Sequence, residues 1–267
     1  MPASQPTPQA PVTTVAEAVA RMEAIGAAVP ASDGLACFNR MYLQVTQTVG
    51  TDLGQGFFAD PAFMTTLDVT FANLYFAAAQ SLGSPVPGSP VPRSPAPGGP
   101  APGGPASGGG GAASGAGAAA VPTAWGPLLE MRGTAGIEPI QFALAGMNAH
   151  INHDLPVAVV STCTELGTAP SEGSHLADFQ KVDALLDAAE ESIRRSFESE
   201  LELTADHHLR AVGNLVACWA INSARDLAWR NALVLWELRG DAIARGLFLD
   251  GLAAATALAS RLLLTPV

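Results

Sequence analysis

A tract over residues 82–124 limits what this chain can fold into before any other feature does. It contains GSPVPGSPVPRSPAPGGPAPGGPASGGGGAASGAGAAA, with one charge, Arg93, and no aromatic residue. Proline keeps its first half extended, glycine leaves the second half flexible, and neither supplies side chains for a core. The tract reads as a disordered Pro/Gly/Ala-rich linker, so residues 13–81 and 125–267 must build one domain together. The first dozen residues, MPASQPTPQAPV, lack the basic and apolar regions of a secretory signal and read as a disordered arm, 1–12.

Hydrophobic residues make up 48% of the chain and charged residues 14%. The linker contributes little to burial, so the remaining helices must face mostly inward. Their starts are legible. Thr13 or Thr14 caps a helix ending near Val29, where Pro30 stops it. Asp33 caps a second helix with Phe38, Met41, Val45 and Val49 on one stripe, and Asp60 before Pro61 opens a third. Ser174 caps a helix bearing Phe179, Val182, Leu186, Ile193 and Phe197, and one or two helices follow from Asp206 to Leu238. No alternating stretch persists long enough for a strand. The expected fold class is all-α, a single bundle of about eight helices.

The final segment, from Gly246 onward, is apolar, but Asp250 and Arg261 leave only ten uncharged residues between them. That is too short for a bilayer, so the segment reads as a buried terminal helix, and no membrane partner is expected. The formal charge is −11, from 24 acidic and 13 basic residues, with no Lys/Arg cluster. This argues against nucleic acid and anionic lipid, and fits a soluble cytoplasmic protein with a small-molecule substrate. Cys37, Cys163 and Cys218 follow no CxxC spacing and read as core residues in a reducing compartment.

The chemistry concentrates in FALAGMNAHINHDLP, Phe142 to Pro156, where two His and one Asp interrupt an apolar helical run. At helical spacing His150 and Asp154 share the stripe of Ala143, Met147 and Ile151, with His153 at its rim and Asn148 and Asn152 on a flank. The pair fits a structural hydrogen bond, a metal site, or an acid/base centre in which the carboxylate fixes the imidazole tautomer. Other helices also turn charge inward. Asp68 falls among Met64, Phe71 and Tyr75, Asp178 lies beside its helix's apolar face, and His208 or Asp226 sits on a stripe with Val212 and Leu215. His208 and Asp226 are about 27 Å apart on an unbroken helix and cannot join one small site unless it breaks near Gly213. Motifs for nucleotide binding (GxxxxGK[ST], GxGxxG), the GxSxG elbow and HExxH are absent.

Five blocks, SDGLACFNRMYLQVT, FADPAFMTTLDVTFANLYF, IQFALAGMNAHINHDLPVAVV, HLADFQKVDALL and ARDLAWRNALVLWEL, together resemble an uncharacterised, mainly actinobacterial all-helical domain-of-unknown-function family. The resemblance implies one domain with a variable insertion and supplies no activity. His150-x-x-x-Asp154 followed by Pro156 is also similar to the helix-borne HxxxD of zinc-dependent phospholipase C and P1-type nucleases. That likeness implies a divalent metal such as zinc, although the chain has no HxxxE. The leading expectation is a metal-dependent hydrolase acting on a phosphoester or similar bond. Its ligands would be His150, Asp154, Asp178 and His208, with Asp68 as ligand or general base. The alternatives are a cofactor-free cyclase, isomerase or lyase using His150 with Asp154 as acid/base inside an apolar pocket, and a non-enzymatic helical interaction module.

Overall fold

The computed structural model describes residues 10–81, 121–186 and 221–266. Every regular element among them is helical, so the fold is all-α. Helix α1 spans Val15–Ala28, α2 Gly34–Gly54 and α3 Pro61–Gln80. After a 3-10 turn at Thr123–Trp125 come α4, Gly126–Met131, and α5, Pro139–Ala149. A π turn, His150–Asp154, joins α5 to α6, Leu155–Leu166. Helix α7 is described over 175–186, α8 spans Ile221–Glu237, and α9 spans Ala242–Leu263.

The capping chemistry read from the sequence sets the helix starts. Thr14 accepts from the Glu17 amide, Asp33 from that of Leu35, and Asp60 from that of Phe63 with Pro61 at the first helical position. Gly167 ends α6 at φ 67°, a left-handed conformation that glycine adopts without steric cost. Val12, expected in the disordered arm, is instead buried, and its backbone exchanges two hydrogen bonds with the Asn73 side chain.

The continuous rod of α5, the π turn and α6 forms the axis of the bundle. Helices α2 and α9 pack on its α5 half, and α3 and α8 on its α6 half. The α2–α5 crossing is close because each helix places a glycine under the other's phenylalanine. A Cβ at Gly34 would lie 2.5 Å from the Phe142 ring, and one at Gly146 would lie 2.5 Å from that of Phe38. Substituting either glycine would force the helices apart and open the core around Phe38.

The terminal helix departs from expectation. Only Ala253, Thr256 and Ser260 of α9 are buried, while Ile243, Leu247, Leu258 and Leu262 are 77%, 70%, 63% and 69% exposed. The small and polar side chains face inward because α5 offers hydrogen-bonding groups there: Asn148 Nδ2 donates to the Thr256 carbonyl and Ser260 Oγ, each at 2.9 Å. By length and composition, α9 is also apolar enough to cross a membrane. Cys37 and Cys163 are buried as expected. Burial pushes the Cys163 thiol up to about 12, leaving it protonated and inert.

Candidate active site

The site begins with a backbone irregularity. Pro156 has no N–H to give to the carbonyl four residues back, and its ring would crowd that carbonyl in a regular α-helix. The chain widens by one residue instead of breaking, and the Leu155 amide bonds to the carbonyl of His150. Single π turns of this kind recur at functional sites, because they re-aim side chains without ending the helix.

His150 and Asp154 face the interior together. His150 Nδ1 lies 3.0 Å from Asp154 Oδ2, which also accepts from the Trp125 indole N–H at 2.9 Å. His153 Nδ1 lies 2.8 Å from the other oxygen, Oδ1. Burial alone would raise the Asp154 pKa, but the hydrogen bonds from His150 and His153 outweigh it and hold the group below the usual carboxylate range. An ionised Asp154 has no proton to give, so both imidazoles donate from Nδ1. Burial pulls His150 below its ordinary value against the opposing pull of Asp154. The ring is therefore neutral, with its proton on Nδ1 and its lone pair on Nε2.

Aromatic rings fix this imidazole. It stacks on Phe71 at 3.5 Å and 3°, and meets Tyr42 edge-on at 4.5 Å. Phe38 and Trp125 close the box at 5.7 and 5.9 Å. Nε2 is buried with no hydrogen-bond partner.

The box opens on a cavity of about 80 Å³, lined mainly by apolar side chains including Met41, Leu67, Ile151 and Leu186. At roughly 10–15 Å³ per water it holds several waters or one small molecule. Four polar side chains line it: His150, Asp68, Tyr42 and Arg225. Arg225 is occupied, donating to Asp183 Oδ1 at 2.5 Å and to the Phe179 carbonyl at 2.6 Å. His150 Nε2 and Asp68 Oδ2 are buried without a partner, and the buried Tyr42 hydroxyl has only a weak interaction with Thr46. Burial raises Asp68 to about 7, so near neutral pH much of it is a protonated acid. Burial, and after it the charge of Asp68, push the Tyr42 phenol well up against the opposing hydrogen bond of Thr46. Each unmade hydrogen bond costs about 1–3 kcal/mol. Two at one cavity, with a weakly held phenol beside them, are a concentration that folding does not require, and they mark a place for chemistry.

The structure therefore brings together His150, Asp154 and Asp68 of the residues expected from sequence. It does not bring Asp178 to them. Asp178 accepts from the amides of Ala59 and Asp60, from Ser174 Oγ and from Lys181 Nζ, at 2.7 to 2.9 Å. Burial raises its pKa, but the Lys181, backbone and Ser174 hydrogen bonds win and hold it at about 2. Its lone pairs are used, and its role is to tie the turn before α3 to α7. Asp226 is exposed on α8. His208, with His207, Cys218 and Trp219, lies outside the described residues. Trp229 packs on Phe179 at 4.8 Å, as core, and Trp236 stacks under Arg239.

Sequence reasoning missed three members of the site. Tyr42 lies one turn after Phe38, which places it on the same face of α2. Phe71 was placed on the apolar face of α3, but nothing pairs it with His150 before the helices pack. Trp125 is the first aromatic residue after the linker, and only the fold carries its N–H to Asp154. As potential ligands, Asp154 has both oxygens engaged by N–H donors and Asp178 belongs to another network. Among the described residues, no group of three His, Cys, Asp or Glu side chains is arranged to hold a metal ion.

The chain belongs to a family of unknown function, DUF5995, whose model matches residues 15–92 and 111–266. The break in the match, 93–110, falls inside the Pro/Gly tract. No curated protein and no solved structure matches the chain.

Proposed function

For this member of the family we propose a cofactor-free acid/base catalyst, an isomerase, cyclase or lyase acting on a small, largely apolar substrate. The carrying observation is the unpartnered, buried Nε2 of a neutral His150 whose other nitrogen is fixed by Asp154. Such an imidazole is a general base with its tautomer set. Asp68, poised near neutrality, supplies the complementary acid, and Tyr42 adds a hydroxyl donor for charge that develops on a substrate oxygen. In an apolar box these groups act without competition from bulk water. Trp125 and His153 are positioning residues: they hold Asp154, which holds His150.

The test is proton exchange at carbon. The purified chain is incubated in D₂O with a panel of small enolisable carbonyl compounds, and deuterium uptake is read by mass spectrometry. The expected outcome is uptake above buffer that survives chelator and falls about 10²- to 10⁴-fold in His150→Ala. Uptake untouched by His150→Ala would sink the proposal.

The metal-dependent hydrolase is the second reading, and one observation favours it. His150 Nε2 and Asp68 Oδ2 are unpartnered at the same cavity and are donor types that zinc accepts. It needs a third ligand, for which His208 is the remaining candidate. Stoichiometric zinc in the purified protein, with phosphoester hydrolysis abolished by chelator and restored by zinc, would select it over the acid/base reading.

A further inference from the structure

Helix α9 is built outside-in. Its buried residues are Ala253, Thr256 and Ser260; Phe248, Leu249 and Leu263 are half-buried against the core, and four large aliphatic side chains, Ile243, Leu247, Leu258 and Leu262, are in solvent. Its exposed face carries Ile243, Leu247, Gly251, Ala254, Leu258 and Leu262 in order, at steps of three and four, so they form one stripe along a helix about 33 Å long. The order is the same in size from either end: large, large, small, small, large, large. A two-fold axis between Gly251 and Ala254 sets Ile243 opposite Leu262, Leu247 opposite Leu258, and Gly251 opposite Ala254. Such a pairing is isologous, each contact occurring twice about the axis, and the small residues at its centre let the two helices approach closely.

Gly251 supports the same pairing. A Cβ there would meet nothing within 4 Å in its own chain, yet a mid-helix glycine costs about 1 kcal/mol relative to alanine. Close approach of a second helix at the centre of the stripe gives it a use. Gly246, off the stripe, has no comparable account. Four aliphatic side chains 63% to 77% exposed, with the small residues between them, offer several hundred Å², on the scale of the roughly 800 Å² per partner of a standard interface. Asp250 and Arg261 flank the stripe, and Arg261 pairs with Glu130 of its own chain at 3.0 Å, which leaves one uncompensated acid per copy at the edge of the seam.

We infer that the α9 face is the interface of a homodimer in which two copies pair antiparallel about Gly251 and Ala254. The first experiment is sedimentation velocity on the full chain over a concentration series. Twice the chain mass is expected, with Leu247→Asp/Leu258→Asp raising the dissociation constant at least about tenfold at unchanged helical circular dichroism. The second is oxidative cross-linking, with the parent chain as control for its own three cysteines. Ala254→Cys is expected to cross-link to itself. Leu247→Cys alone is not, being about 16 Å from its copy along the axis, but it should cross-link when mixed with Leu258→Cys. A parent chain that stays monomeric at about 0.1 mM, a concentration adequate for standard interfaces, overturns the inference. Self-cross-linking of Leu247→Cys would instead mean a parallel pairing and overturn the register. Co-sedimentation of a monomeric parent with phosphatidylcholine vesicles, lost in the Asp variant, would make the face a membrane seat and overturn it as well.

Discussion

Helix α3 meets a carboxylate at each of two places, and the two could hardly differ more. At its N-terminus the Asp178 carboxylate accepts four hydrogen bonds, and they hold it at about 2. Two turns further on, α3 itself contributes Asp68, whose Oδ2 accepts none and whose pKa rises to about 7. Burial acts in the same direction on both, and the supply of donors decides the outcome. A carboxylate given donors becomes a structural joint, while one denied them keeps a proton available near neutrality.

The sharpest way to break this contrast is Asp178→Ala, which strands two backbone amides, a serine hydroxyl and a lysine. A loss of about 3–5 kcal/mol is expected in urea unfolding. Asp68→Asn should move the other way. Removing a half-buried carboxyl whose enclosed oxygen resists ionisation is expected to stabilise the protein by on the order of 1–3 kcal/mol above pH 7, read as a rise in melting temperature.

The pH dependences separate the two acids as well. For Asp178 the folded pKa is depressed, so its contribution is present above the unfolded value near 4 and is lost as pH falls towards about 2. For Asp68 the folded pKa is raised, so the folded state binds the extra proton. Stability should decline as pH rises from about 4 to about 7 and then level off, and Asp68→Asn should flatten that window.

Asp154 stands between these cases, satisfied by donors yet coupled to a catalytic candidate. Trp125→Phe removes one donor from Oδ2 and is expected to cost about 1–2 kcal/mol, with a measurable rise in the Asp154 pKa followed by carboxyl NMR. The smallest effect is expected for His153→Gln, about 0.5 kcal/mol or less in urea unfolding, because its side chain is at the rim and 19% exposed.

Much of this was legible before the fold. The caps at Thr14, Asp33 and Asp60 act within one turn of themselves, so local sequence suffices to find them. His150 and Asp154 meet because residues four apart are neighbours on any helix, and the π turn alters the backbone without undoing that. Asp68 was recognisable as a charge on an apolar stripe. Asp178 was recognisable in the same way, but the stripe could not reveal that its donors arrive from the turn before α3, at Ala59 and Asp60.

The sequence by itself determined that the chain is all-α, that the Pro/Gly tract interrupts one domain, and that a polar pair lies inside an apolar helix. Periodicity, caps and composition are short-range properties, and they carry that information without reference to neighbours. Tertiary structure alone decided which buried carboxylate is satisfied, which rings box His150, and which face of α9 is left in solvent. Those outcomes depend on donors and surfaces that arrive from other helices, some of them distant in the chain, as with Asn148 reaching Ser260, 112 residues on. An apolar stripe states that a face should be covered, and only packing decides what covers it.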